Sequence, residues 1–199
     1  MLRISVLVSG GGTNLQAVID SIETGRIKDA EIACIISSNP KAFALERGNQ
    51  HGIKTLVIDK NQYPAMSLRT KAIISALEME KTDLVVLAGY MSVLESELVQ
   101  AYKGRIINIH PSLIPKYCGK GFYGHHVHEA VIAAGEKESG ATVHFVDEGV
   151  DTGPIIIQKK VPVLEGDTPD ALGERVLKVE HEILTEAINK VILELNAEL

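Results

Sequence analysis

Short apolar runs alternate with amphipathic helical stretches along the first 110 residues. That rhythm predicts an α/β fold, Rossmann-like: a mostly parallel, twisted sheet with helices on both faces. The run at 83–88 supports it, being almost wholly apolar, as a strand covered on both sides must be. After a proline-rich stop at 111–115 the rhythm changes. Two runs joined only by 147–153 predict antiparallel strands near the C-terminus, because that link is too short for a crossover. A long C-terminal helix closes the chain.

In order, a strand is expected at 4–8 and then the loop Ser9-Gly10-Gly11-Gly12-Thr13-Asn14. Leu15, Val18, Ile19 and Ile22 recur on one helical face. Thr13 and Gln16 have capping-box spacing, which places the helix start at Thr13. Strands follow at 32–37, 55–58, 83–88 and 105–109, with helices at 42–51, 67–80 and 95–102. Beyond the prolines come a loop at 119–124, a helix at 127–134, strands at 141–146 and 154–161, and the last helix at 169–195. No repeat, linker or low-complexity segment interrupts this order. One domain over 1–199 is expected, in two halves, 1–104 and 105–199.

Composition narrows the function. The chain is 45% hydrophobic and 23% charged, with a net charge of −6. Those are globular values, and the sign disfavours a nucleic-acid surface. Trp is absent and aromatics make up 4%, too few for a base-stacking platform. No signal-peptide pattern and no membrane-length apolar run is present, so a cytoplasmic location without membrane contact is expected. Cys34 and Cys118 form no CxxC or zinc spacing and read as a core residue and a loop thiol. His125, His126 and His128 lack the i, i+4 spacing of a helical zinc pair and read as a solvated cluster; no metal is expected. His144, between Val143 and Phe145, reads as a satisfied buried or half-buried side chain.

Ligands of open α/β sheets bind beyond the carboxyl ends of the strands. Four segments fall there: Gly10–Asn14, Gly89–Leu94, Asn108 with His110, and 147–153. The glycine loop, between a strand and a helix, suits an anion held by backbone N–H groups. It has neither GxGxxG nor Gly-Lys-Ser/Thr spacing, so a monophosphate fits better than a dinucleotide; a plain tight turn is the competing reading. Asn108 and His110 stand two apart at a strand end and so share a face. Pro111 and Pro115 fix the backbone behind them. An amide and an imidazole side by side can stabilise a tetrahedral oxyanion and move a proton. A carboxylate at Asp151 near His110 would favour the charged imidazole. Asp before Thr-Gly-Pro is also ordinary turn chemistry, and spacing does not choose between the two.

Together, Ser9-Gly-Gly-Gly-Thr-Asn14-Leu-Gln-Ala17, Leu87-Ala-Gly-Tyr-Met91, Asn108-Ile-His110-Pro-Ser-Leu-Ile-Pro115 and Val143-His-Phe-Val146 with Asp151-Thr-Gly-Pro154 resemble the phosphoribosylglycinamide formyltransferase family, which uses 10-formyltetrahydrofolate as co-substrate. The resemblance runs to about residue 191, and it implies a phosphate-binding half (1–104) and a catalytic, folate-binding half (105–199). It implies formyl transfer to glycinamide ribonucleotide in purine synthesis, small-molecule partners, and a monomer or homodimer. By motif, Asn108, His110 and Asp151 are implied as catalytic. Gly11, Gly12, Thr13 and Asn14 match the nucleotide phosphate loop. Glu180 matches a ribose-side contact, although spacing alone suggests a solvated helix face. Met91, Ser92, Val93 and Leu94, with Asp147, Glu148, Gly149, Val150 and Asp151, match the folate pocket, to which Asn108 and Met66 are also assigned. A cis Ile114–Pro115 bond is implied.

The chain departs from the family pattern in places. Ser92 and Met66 stand where relatives often carry Arg, which removes positive charge near the folate tail. The 118–124 loop looks lengthened, with Cys118 in place of Pro. The alternative within the same chemistry is a formyltetrahydrofolate hydrolase or another formyl-folate enzyme. The hydrolase is expected to carry an added N-terminal regulatory domain, and here the first strand follows Met1. A methionyl-tRNA formyltransferase would need a basic RNA-binding domain. A non-catalytic nucleotide-binding module would leave Asn108, His110 and Asp151 without a role.

Overall fold

The computed structural model describes residues 1–197; the last two positions of the expected 1–199 domain lie outside the described residues. Seven strands run in the order β3-β2-β1-β4-β5-β6-β7. By internal contacts the chain forms two compact units, Met1–Ile107 and the part from Asn108 onward.

The first unit contains β1 (Leu2–Val8), α1 (Thr13–Glu23), β2 (Ala30–Ser37), α2 (Phe43–Gln50), β3 (Thr55–Val57), α3 (Met66–Met79), β4 (Leu84–Leu87) and α4 (Ser96–Ala101), and it ends within β5 (Ile106–His110). β1 pairs in parallel with β2 and β4, and β2 with β3. Val6 sits opposite both Ile35 and Val86, and all three are fully buried. Every residue of β4 is buried, which accounts for its unbroken apolar sequence. Leu15, Val18 and Ile19 of α1 are buried as their spacing predicts, while Ile22 is half-buried. Two polar groups inside this core are satisfied: Ser5 Oγ lies 2.6 Å from Thr82 Oγ1 and 3.3 Å from Cys34 Sγ. Burial pushes the Cys34 thiol upward, which suits a structural cysteine.

The second unit contains α5 (His125–Ala133), β6 (Glu138–Phe145), β7 (Ile155–Pro162) and α6 (Pro169–Ala197). β6 and β7 are antiparallel, as the short link requires, with Thr142 opposite Gln158. Their register shifts between Val143 and His144. Such an irregularity re-aims a side chain, and here the residue concerned is His144. α6 packs on β6, β7 and α5 through buried Leu172, Val176, Ile183, Leu184, Ile188 and Val191. Pro169 opens α6 at a position that tolerates a missing N–H. Thr168 stands before it and accepts the Ala171 N–H at 3.2 Å.

Some sequence expectations change. α5 begins at His125, two residues early, and His128 is buried rather than solvated. His125 and His126 remain exposed, each within ion-pair distance of Glu129. α1 starts at Thr13 as expected, but without a capping box: Gly12 is its N-cap, at φ 72°, and no side chain caps the helix.

Candidate active site

In the first unit, the loop after β1 is fixed from outside and open within. Asn39 Nδ2 donates to Ser9 O at 3.2 Å, Ala44 N to Gly10 O at 3.1 Å and Arg47 Nε to Gly11 O at 2.8 Å. Ser9 Oγ lies 2.6 Å from Ser38 Oγ and accepts the Met91 N–H at 2.9 Å. A Cβ on Gly12 would meet Ala44 Cβ at 2.6 Å, so glycine is required there by both its positive φ and close contact. A Cβ on Gly10 or Gly11 would meet nothing within 4 Å. Thr13 and Asn14 open α1, whose first N–H groups have no side-chain cap. Asn14 Oδ1 is buried without a hydrogen-bond partner. Uncapped helix N–H groups beside an open glycine turn are chemically suited to an anion.

Tyr90, Ser92, Val93 and Leu94 line a small hollow together with Met66 and Arg69 of α3. Met66 and the 92–94 segment thus share one hollow. Met91 and Val93 are largely exposed. Burial pushes the Tyr90 phenol up, against a hydrogen bond from Ser92 and the nearby Arg69 charge.

The second unit assembles Asn108, His110 and Asp151 through a residue that sequence reasoning did not select. Asn108 Nδ2 lies 3.1 Å from His144 Nε2. His144 Nδ1 donates to Phe145 O at 2.8 Å, so in the neutral ring Nε2 accepts the amide proton. Asp151 faces both imidazoles: Oδ1 is 3.6 Å from His144 Nε2, and Oδ2 is 3.7 Å from His110 Nδ1. His110 Nε2 donates to Tyr117 O at 2.9 Å, which fixes the ring plane. Its Nδ1 has only the longer approach to Asp151, 3.7 Å from Oδ2, beyond ordinary hydrogen-bond length. Gly119 N donates to Asp151 Oδ2 at 2.9 Å. His110 is 5% exposed, so the cluster is largely shielded.

Burial works against ionisation of Asp151. It is outweighed by His144, the Gly119 N–H and the nearby His110, and the carboxyl lies below its ordinary range. Asp151 therefore joins the cluster, and the plain-turn reading of that residue fails. The turn chemistry belongs to Asp147, whose Oδ1 accepts the Gly149 N–H at 3.0 Å and the Thr152 hydroxyl at 2.6 Å. Glu148 and Val150 lie on the same exposed turn, and Asp151 itself has φ 57°.

The 111–118 segment is bolted down behind the cluster. Ser112 Oγ donates to Lys116 O at 2.7 Å, and Thr142 Oγ1 to Ser112 O at 2.6 Å. The Ile114–Pro115 bond is cis, as implied. Cys118 sits between Tyr117, which holds His110, and Gly119, which holds Asp151; its Sγ lies 3.3 Å from Pro115 O. Glu180 is 8% exposed on α6, so the solvated-face reading of that residue fails.

His144 was legible only as a buried histidine. The signal available was its pattern, a polar residue in an apolar strand; its partners depend on the register shift in β6.

The formyl transferase family model matches residues 2–188. The chain is 42% identical over 191 residues to the trifunctional purine biosynthetic protein adenosine-3 of Drosophila melanogaster, covering 96% of this chain but only 14% of that protein. It is 41% identical to phosphoribosylglycinamide formyltransferase of Escherichia coli, covering 92% of this chain and 83% of the other. A solved structure, glycinamide ribonucleotide transformylase 1 from Symbiobacterium toebii, superposes with a TM-score of 0.89 at 44% identity, covering 95% of this chain and 86% of that one. No described helix is long and apolar enough to cross a membrane. On sequence, fold and motif alike, the chain belongs to the formyl transferase family.

Proposed function

We propose that the chain moves the formyl group from N10 of 10-formyltetrahydrofolate to the primary amine of glycinamide ribonucleotide. The observation that carries this reading is the Asn108–His144–Asp151–His110 cluster. It supplies an amide donor and a carboxylate-flanked imidazole on one rigid mount. The open, uncapped glycine loop of the first unit adds an anion site suited to the nucleotide phosphate. The relatives named phosphoribosylglycinamide formyltransferase support the transfer.

Direct transfer follows from these groups. The substrate amine attacks the formyl carbon, and the carbonyl oxygen becomes an oxyanion. Asn108 Nδ2 donates to that oxygen, as does a protonated His110; such preorganised donors are worth most where charge develops. The C–N10 bond then breaks. N10 must gain a proton as the attacking nitrogen loses one, and His110 Nδ1 is placed for that exchange, directly or through one water. Asp151 stabilises the imidazolium that carries the proton. Holding two reactants in register supplies much of the remaining rate. Thr13, Asn14 and the glycines take the phosphate, Glu180 the ribose side, and Met66 with residues 91–94 and 147–151 the folate.

The test is folate release from purified protein given 10-formyltetrahydrofolate, with and without glycinamide ribonucleotide. Release that needs the nucleotide and yields the formylated nucleotide supports the transfer. Release without it means hydrolysis, and no release means a binding module; either result defeats the reading.

A further inference from the structure

Three successive carbonyls of the glycine loop are held by donors from the α2 region. Asn39 Nδ2 donates to Ser9 O, the Ala44 N–H to Gly10 O and Arg47 Nε to Gly11 O. These peptides are trans, and in a trans peptide the C=O and the following N–H point in opposite directions. The N–H groups of Gly10, Gly11 and Gly12 are therefore each turned away from the donor that holds the preceding carbonyl. The Ala44 donor is backbone, and Asn39 is itself fixed, its Oδ1 accepting the Lys41 N–H at 3.0 Å. The hold on Gly11 depends on one half-buried side chain. Arg47 Nη1 donates to Gln16 Oε1 at 3.2 Å, and the guanidinium lies 5.0 Å from the centre of the Phe43 ring. The Arg47 stem passes beside the turn: a Cβ built on Gly12 would stand 3.3 Å from its Cδ.

We infer that Arg47 is a positioning residue for the anion site, its Nε–H fixing the Gly11–Gly12 peptide so that the Gly12 N–H is presented to the ligand. This role rests on the nucleotide phosphate binding proposed above. Glycines on both sides of a peptide leave it free to turn over, since neither has a Cβ to restrict it. The turned-over form would aim a carbonyl oxygen, with its partial negative charge, at the anion. Successive N–H groups on one side make the concavity that suits an anion instead. Arg47 thus acts through Gly11 and not by contact with the phosphate.

Two substitutions of equal length test this. Gln carries an amide nitrogen at the same number of bonds from Cα as the Nε of Arg, so Arg47→Gln keeps a donor in place. Arg47→Met puts a methyl group there, which donates nothing. Both are uncharged and keep a stem beside Gly12, so their difference reads the hydrogen bond and not the charge. Melting temperature checks folding. Arg47→Met should raise KM for glycinamide ribonucleotide about fivefold to twentyfold, and Arg47→Gln should stay within about threefold of wild type. In both, kcat and KM for the formyl-folate should stay within about twofold, as for a loss of nucleotide binding alone. The second readout is a titration with inorganic phosphate followed through the backbone amide resonances of Gly11, Gly12 and Thr13. Those resonances should shift in wild type and Arg47→Gln and respond weakly in Arg47→Met. Met and Gln variants with equal losses, a Met variant that behaves as wild type, a loss shared with kcat or with the folate, or no loop response to phosphate in wild type each overturn the role. If no transfer occurs at all, the proposed function fails, and the phosphate titration still decides what Arg47 does.

Discussion

The glycine loop of the first unit and the Asn108–His110–Asp151 cluster of the second differ in what holds them. The loop is built from backbone: the carbonyls of Ser9, Gly10 and Gly11 accept hydrogen bonds from neighbours, Gly12 is locked against Ala44, and the groups left on offer are the first helix N–H groups. The cluster is built from side chains that meet from β5, β6 and the 147–151 turn. A backbone site survives most side-chain changes and fails when its conformation is denied. A side-chain site folds well after a truncation but loses its chemistry. The two should therefore break in opposite ways.

The largest effect is expected at His110. His110→Ala should lower kcat about 10³–10⁴-fold, the range for losing a positioned acid–base group together with an oxyanion donor. Its melting temperature should stay close to wild type. Asn108→Ala should cost about 10²–10³-fold in kcat with little change in KM for either substrate. Steady-state kinetics on both variants decide this; near-normal turnover would remove these residues from the mechanism.

Gly12→Ala should show the opposite pattern. The positive φ and the 2.6 Å approach to Ala44 leave no room for a methyl group. A loss of about 2–3 kcal/mol is expected from backbone strain and overpacking. It should appear in the urea midpoint, with weaker nucleotide binding in whatever protein remains folded. An unchanged midpoint would mean that the loop is more plastic than its contacts suggest.

A smaller effect is expected from pH at His128. Burial, then the charges of His125 and His110, lower its pKa below the ordinary 6.5, and its Nδ1 has no partner. Below about 6.5 the unfolded chain therefore binds a proton that the folded chain resists. Stability should fall as pH drops from that point and level off once pH passes the lowered folded value. His128→Gln should flatten the slope in denaturant titrations between pH 7 and 5 if this residue causes it. The smallest change belongs to His125→Ala. That side chain is exposed, and its ion pairs with Glu129 and Asp170 are solvated. Stability should move by less than about 0.5 kcal/mol and turnover not at all.

Much of the fold was readable because each element carries its own period. The all-apolar β4, the Leu15–Val18–Ile19 face and the short β6–β7 link were local facts, and local facts survive folding. The helix start at Thr13 was readable too, although for the wrong reason: the signal suggested a side-chain cap, and a left-handed glycine performs that task. Asn108 and His110 were visible as a pair because two residues on one strand must share a face.

Residues far from the Asn108–His110 motif were less readable. Asp151 was balanced between turn and catalysis until His144, Gly119 and His110 were seen around it. Glu180 and His128 were read as solvated because helical periodicity tells which residues align, not what covers them. His144 was read as a satisfied buried histidine, which it is, but its part in the cluster was not, since its place follows a register shift in β6.

From its own residues, the chain determined the strand–helix order, the rigid proline-backed mount for Asn108 and His110, and the glycine turn. These follow from local sterics and periodicity. The tertiary structure decided which carboxylate faces which imidazole, which helix residues are covered, and which side chains hold the glycine loop. Those depend on segments far apart in sequence meeting at distances of a few ångströms, which no local preference encodes.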